Sequence, residues 1–371
     1  MPQQNNKTLR LFAKPSENVM MNVISVMNPD DIVRKARFFS HGMYKLINEK
    51  YRDEVFVVST YEKKVKKTPE FKSSPNDHVT SCKKLSGGLT NTTLFFTTPR
   101  GAFVARNPGL KTDGYINRDA EAKNVQIASD AGINAHVEYN ESSGIQVTEF
   151  LKNPLPMNAE RLKAFHNIDA VTNALKQIHQ CGKKFANDVD VFARNKQFYR
   201  IVLNNHATLP PDYQKVAIQM EKLEELFTTL HIKNVPCHVD TTPGNFILSE
   251  GKMRIIDWEY SGNCDPLWDL SYLSMEAEFD HQQDVEMFKA YFGSWDAATW
   301  NRFILYKPVV EYFVALWAQV QISNGNVVDD PSININMEIN RFANCKRLLE
   351  SDEFKKAFDE LALPSLAMKK K

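Results

Sequence analysis

The sequence predicts an α+β chain in two parts: a small antiparallel sheet with one helix over residues 81–152, and a mainly helical part over residues 153–371. Three observations lead there. Short apolar runs at Leu94–Phe96, Ala102–Ala105 and Gln146–Phe150, parted by turns, read as a meander. From Asn158 onward the spacing becomes helical, with Leu162, Phe165, Ile168, Val171, Leu175 and Ile178 on one stripe and Gly182 just beyond it. Within the helical part stands a single hairpin: FIL at 246–248, the turn SEGK, then the strand Met253–Ile256.

Residues 1–80 read as an N-terminal extension, partly helical, with no role the sequence names. Asn28-Pro29-Asp30-Asp31 marks a helix start, with acids at the positive end of the helix dipole. Ile32, Ala36, Phe39, Met43 and Ile47 follow at helical spacing. Glu54–Thr60 (EVFVVST) predicts a strand, and Glu62–Asn76, charged and containing Pro and Ser, an exposed linker.

Composition bounds the partners. A length of 371 residues fits one large or two ordinary domains, and 43% apolar with 25% charged residues fits a water-soluble globular chain. A net charge of +1 argues against a nucleic-acid partner. No apolar run approaches the roughly 20 residues that span a bilayer, so no membrane insertion is expected. The start MPQQNNKTLR lacks the apolar core of a signal peptide. Five scattered cysteines, without a C-x-x-C pair, fit a reducing cytoplasm and no structural zinc. A monomer or homodimer is expected.

Taken in order, the first part begins at LSGGLTN, Leu85–Asn91. In a chain with only 14 glycines, the pair Gly87-Gly88 reads either as an ordinary hairpin turn or as a turn whose backbone approaches phosphate. Arg106 ends the third strand, and Glu121 lies on the helix expected from Asn117. Phosphoryl-transfer sites need a cation on such a strand and an acid on the next helix to hold it. QVTEF then closes the sheet, and Leu151-Lys152-Asn153-Pro154 breaks it; backbone near Glu149–Leu151 is placed to meet a purine edge in a two-lobed kinase.

In the second part, His179 on the first long helix reads as a hydrogen-bonded packing residue. Gln214–Leu230, His281–Phe292 and about Trp300–Gln321, the last with Pro308 at its first turns or at a kink, read as helices. Between them runs Cys237–Glu276, which carries the chemistry. His238, Asp240 and Asn245 form H-x-D-x-x-x-x-N, and the second hairpin strand ends on Asp257. Moving a phosphoryl group needs positioning and charge neutralisation more than covalent chemistry. Asn245 and Asp257 supply the hard oxygens that Mg²⁺ prefers, and Asp240 is left to orient a hydroxyl and accept its proton. The order Asp, Asn, metal-binding Asp is that of protein kinases.

With these residues in hand, the chain resembles the choline/ethanolamine kinase branch of the kinase-like aminoglycoside phosphotransferase superfamily, over about residues 81–325. The stretches that carry the resemblance are LSGGLTN, ARNPGLKTDGYINRDAE at 105–121, HVDTTPGN at 238–245, IDWEYSGNCDPLWDL at 256–270 and YFVALW at 312–317. It implies a protein-kinase-like two-lobed fold and ATP bound between the lobes, with Gly87, Gly88, Asn91, Arg106, Glu121, Glu149 and Leu151 serving the nucleotide. It implies Mg²⁺ on Asn245 and Asp257, Asp240 as the catalytic base, and His238 and Asp269 as structural support. The acceptor would be choline or a related small amine alcohol. A quaternary ammonium donates no N–H bond, so aromatic faces and carboxylates must hold it; Tyr260, Trp268 and Trp317 supply faces, and Glu259 and Glu276 charge. Two departures touch the acceptor side: Val314 stands where some members carry a second tryptophan, and Thr241-Thr242 follow Asp240 where a leucine and a longer side chain are common. Ethanolamine, thiamine or an aminoglycoside remain alternative acceptors, and a non-catalytic nucleotide-binding module the alternative of another class.

Overall fold

The computed structural model describes residues 52–68, 77–85, 91–109, 114–207, 209–210, 212–325 and 332–368. The helix expected from Asn28 and the pair Gly87-Gly88 lie outside the described residues. The chain divides into two compact units. One holds the described residues up to Pro108 with 138–140 and 145–150, the other Gly109–Val137, Glu141–Gly144 and Leu151 onward.

In the first unit, β1 (Ser81–Lys84), β2 (Thr92–Thr98), β3 (Gly101–Asn107), β4 (Val137–Asn140) and β5 (Gln146–Glu149) form one sheet in the order β1-β2-β3-β5-β4. The β2–β3 hairpin pairs Thr98 with Gly101 and runs to Thr92 opposite Asn107. Alternation sends Leu94 and Phe96 to one face, where they meet Phe103, Ala105 and Val147. Arg106, near the end of β3, lies opposite Thr93 on one side and Gln146 on the other.

The strand expected at Glu54–Thr60 is instead the middle of helix α1, Arg52–Lys63. Its β-branched run is overridden by packing. Val57, Val58 and Tyr61 fall at helical spacing and, with Val65 just beyond, bury against Leu94 and Phe96. Tyr61 meets Phe96 edge-on at 5.7 Å and donates its hydroxyl to Asp77. The expected linker thus begins as helix and includes the buried Val65.

In the second unit the helices are α2 (Arg118–Asp130), α3 (Ala159–Leu162), α4 (Phe165–His179), α5 (Val191–Asn204), α6 (Asp212–Thr228), α7 (Pro266–Glu276), α8 (His281–Phe292), α9 (Ala297–Ser323), α10 (Ser332–Glu350) and α11 (Asp352–Met368). Helix α2 starts at Asn117, whose side chain accepts from the Ala120 N–H, and buries Val125 and Ala128 in this unit's core. The hairpin of β8 (Phe246–Ser249) and β9 (Lys252–Ile255) turns on Glu250 and Gly251, both at positive φ (48° and 75°). Two positive φ values in a two-residue loop are what the twist of a tight hairpin requires. β6 (Leu155–Pro156) pairs with β8, while β7 (Val235–Cys237) pairs with β10 (Gly262–Cys264).

Helix α9 is the core of this unit and packs against α5, α7, α10 and α11. By length and composition it could cross a membrane, contrary to the expectation that no such run exists; 83% of its most apolar window is buried inside the unit. Arg302, Lys307 and Glu311 punctuate it, so its sequence does not read as one apolar run. Pro308 lies inside it, where a proline removes one helical hydrogen bond.

Candidate active site

The loop between β7 and β8 is held from below by α7. Asp265 caps that helix by accepting from the Leu267 N–H at 3.0 Å, with Pro266 in the first turn. Asp269, one turn in and wholly buried, points both oxygens at the loop. Oδ2 accepts from the His238 N–H at 2.7 Å and Oδ1 from the Val239 N–H at 2.8 Å. His179 adds a third contact to Oδ2 at 3.0 Å, and its other ring nitrogen meets the Tyr291 hydroxyl at 2.8 Å. Val239 sits at φ 73°, a strained conformation for a β-branched residue. Its backbone is clamped at both ends, by Asp269 on the N–H and by the Trp268 indole N–H, which donates to its carbonyl at 2.9 Å.

This assigns Trp268 a different place from the expected one. The ring is fully buried, edge-on to Tyr306 and Phe313, and offers no face to a substrate. His238 is also buried; its Nε2 meets the Ile256 carbonyl at 2.9 Å and its ring lies 4.7 Å from Trp258. The two threonines after Asp240 brace the same loop. Thr241 donates to the Asp269 carbonyl at 2.8 Å, and Thr242 to Asp240 Oδ1 at 2.6 Å.

Asp240, Asn245 and Asp257 are joined through short links. Asn245 Nδ2 donates to the Asp240 carbonyl at 3.0 Å and lies 3.3 Å from Asp240 Oδ2. The Ile256 N–H donates to the Asn245 carbonyl at 2.9 Å, which sets Asp257, at φ 64°, next to the loop. Asparagine thereby spends its amide nitrogen on Asp240 and keeps Oδ1, the atom a hard cation would take.

A carboxylate cluster adjoins Asp257. Oxygens of Glu121, Asp257 and Glu259 lie within 4.8 Å of one another. Arg118 Nη1 bridges two of them, at 2.8 Å to Glu121 Oε2 and 3.1 Å to Glu259 Oε2. Glu259, expected beside an amine, is therefore part of a buried ion-pair set. The amide oxygen of Asn245 and the carboxylate of Asp257 are donors of the kind Mg²⁺ takes. A second converging set, His179, Cys237 and Asp269, is wholly buried, and Asp269 spends its oxygens on the backbone.

The expected acceptor-side residues separate into two groups. Trp317 donates its indole N–H to the Tyr260 hydroxyl at 2.8 Å, and Tyr260 stacks on Tyr115 at 6.4 Å and 12°. Burial pushes the Tyr260 phenol well above its ordinary range. Glu276, at the end of α7, has its side chain 12% exposed and pairs with Arg341 at 2.8 Å. Burial raises its carboxyl to about 7; Arg341 pulls it down, while Asp240 and Glu311 push it up. Val314 is buried in the α9 core and provides no aromatic face.

Of the residues expected to serve a nucleotide, Asn91 and Arg106 are buried in the first unit, and Glu149 is exposed at the end of β5. The Phe150 N–H donates to the Ala102 carbonyl at 2.9 Å, which carries the sheet one residue past β5. Leu151 is the first residue of the returning chain in the second unit. Sequence reasoning missed Arg118, Arg341 and Glu311. Arg118 had a signal, its i, i+3 spacing to Glu121; Arg341 and Glu311 lie on different helices, and no spacing in the sequence links them to Glu276.

A hydrogen-bonded Asp–Asn loop and a strand-end Asp thus stand on a fold of the two-lobed kinase-like α+β class. Comparisons with known proteins agree. The "Phosphotransferase enzyme family" profile matches residues 81–304. A choline/ethanolamine kinase family protein from Mesorhizobium loti has a solved structure that is 30% identical with TM-score 0.69, and the match covers 82% of this chain and 99% of that one. Protein LicA of Haemophilus influenzae is 30% identical over 199 residues, 53% of this chain and 58% of LicA, so the chain spans under two thirds of that relative. The fold also matches choline kinase LicA from Streptococcus pneumoniae, at 24% identity and TM-score 0.65, over 84% of this chain and 99% of that one. The chain belongs to the phosphotransferase enzyme family, in its choline/ethanolamine kinase branch.

Proposed function

We propose that this chain is a small-molecule kinase that transfers the γ-phosphoryl group of ATP to the hydroxyl of choline. The observation that carries this is the link between Asp240 and Asn245, 3.3 Å from Oδ2 to Nδ2, with Asp257 set beside them by the Ile256–Asn245 bond. Asp240 orients the hydroxyl and takes its proton as the oxygen attacks the γ-phosphorus. The bond from that phosphorus to the bridging oxygen breaks, and ADP leaves. Asn245 Oδ1 and Asp257 would hold Mg²⁺, whose charge offsets that of the phosphates. Asn91, Arg106 and the backbone at Glu149 and Leu151 would serve the nucleotide, as would Gly87, Gly88 and Glu121.

The acceptor reading rests on the Tyr260–Trp317 pair and on Glu276, whose charge interacts with that of Asp240. Aromatic faces and a carboxylate near the base suit a small cation with a hydroxyl. Only one Trp contributes, so ethanolamine and thiamine are the acceptors to set beside choline. A cytoplasmic location, which the scattered cysteines without a C-x-x-C pair support, completes the reading. ADP release from Mg·ATP, measured with choline, ethanolamine, thiamine and kanamycin in parallel, tests it. Choline should give the highest kcat/KM; a higher value with another amine would move the substrate, and no turnover with any would overturn the kinase reading.

A further inference from the structure

Helix α10 lies beyond the residues matched by the family profile, yet it sends one cation to the end of α7. Arg341 Nη2 meets Glu276 Oε1 at 2.8 Å, and Nη1 lies 3.4 Å from Glu311 Oε1. Glu311, on α9, is wholly buried; Asn344 donates to the same Oε1 at 3.0 Å, while its Oε2 is buried with no hydrogen-bond partner. Two acids on two helices thus share one guanidinium from a third.

We propose that Arg341 is a positioning residue for the amine: it holds Glu276 by Oε1, turns Oε2 toward the acceptor, and leaves the Glu276–Glu311–Arg341 set with one net negative charge, matched to a monocation. This rests on the function proposed above. The charge count is two carboxylates against one guanidinium. Without Arg341, two acids would face each other with Asp240 nearby, and such sets keep a proton rather than ionise fully. A protonated Glu276 attracts a cation far less.

The charged and titratable groups around Glu276 are Asp240 on the loop, Glu311 on α9, Arg341 on α10 and Tyr272 on its own helix. Burial raises the Glu276 carboxyl first; Arg341 opposes that, and Asp240 and Glu311 add to it. The two partners therefore act on Glu276 in opposite directions. This separates charge control from a merely structural role, since loss of packing would not move a titration in opposite senses at two sites.

The test is the pH profile of kcat/KM for choline in wild type, Arg341→Gln, Arg341→Lys and Glu311→Gln. The acidic limb should lie near pH 7 in wild type, because the ionised carboxylate binds the cation. Arg341→Gln should move the limb up by about 1 to 3 units, with most activity recovered at high pH. Arg341→Lys should leave it near the wild-type position, and Glu311→Gln should move it down. Coincident limbs in the four proteins would overturn the inference. If Arg341→Gln fails to fold, the downward shift in Glu311→Gln still decides. Should wild type turn over another amine alcohol and not choline, the same profiles on that amine decide. No turnover with any amine would overturn the function and this inference together.

Discussion

Asp269 Oδ1 accepts from the Val239 N–H at 2.8 Å, and so the carboxylate at the start of α7 fixes the strained residue immediately before Asp240. Its other oxygen takes the His238 N–H and His179. The loop that carries Asp240, the proposed base, is thereby shaped by a side chain that need not touch substrate. A φ of 73° at valine costs about 1–3 kcal/mol and persists only where neighbours over-determine it.

Asp269→Asn should test that hold. The amide keeps one acceptor and turns an NH₂ toward a backbone donor. Each buried donor left unpaired costs about 1–3 kcal/mol. The variant should melt at lower temperature, and its kcat should fall at least about tenfold while KM for nucleotide changes little. Unchanged kcat in a folded variant would show that the loop holds its shape without Asp269.

Trp268→Phe separates a bracing role from a substrate face. The substitution removes the indole donor to the Val239 carbonyl while keeping most of the buried ring. Stability should drop by about 1–3 kcal/mol, read from urea unfolding, and choline KM should stay within about twofold. A large rise in KM with unaltered stability would return the ring to the acceptor site.

Trp317→Leu and Tyr260→Phe probe the aromatic pair. Loss of a cation–π face costs about 0.5–2 kcal/mol, so Trp317→Leu should raise choline KM about 2- to 30-fold. Tyr260→Phe removes the acceptor for the Trp317 N–H and should raise KM less, since the ring remains. Steady-state kinetics with choline as the varied substrate checks both.

Glu276 also makes a stability prediction, with the sign as follows. Its carboxyl is raised from 4.5 to about 7, chiefly by burial. The folded protein thus binds this proton more tightly than the unfolded chain. The contribution is fully present below pH 4.5 and is lost as pH rises through 7, by on the order of 3 kcal/mol. Relative to wild type, Glu276→Gln should gain stability between pH 5 and pH 8 by that order. A difference that stays constant with pH would show that Glu276 titrates normally.

Much of this was legible in the sequence because the relevant pieces are local. His238, Asp240 and Asn245 lie within eight residues, and the hairpin to Asp257 announces itself through two short apolar runs and the turn SEGK. Helices α4 and α6 follow from periodicity, and α8 and α9 were also expected, all four with ends within a few residues of expectation. Helix α1 was hidden because its valine-rich run has the local preferences of a strand, and only the sheet it covers makes it a helix. Trp268 was misplaced for a similar reason: burial depends on Tyr306 and Phe313, far along the chain. Arg341 could not be foreseen, because its partners Glu276 and Glu311 lie on two other helices and no spacing rule connects them.

The most direct measurement compares wild type with Asp240→Asn for choline-dependent ADP release from Mg·ATP, alongside nucleotide affinity by calorimetry. Wild type should turn over, and the variant should lose about 10²- to 10⁴-fold in kcat while binding nucleotide within a few-fold of wild type. Near-normal turnover in the variant would contradict the assignment of Asp240 as the base, and with it the chemistry proposed for this loop.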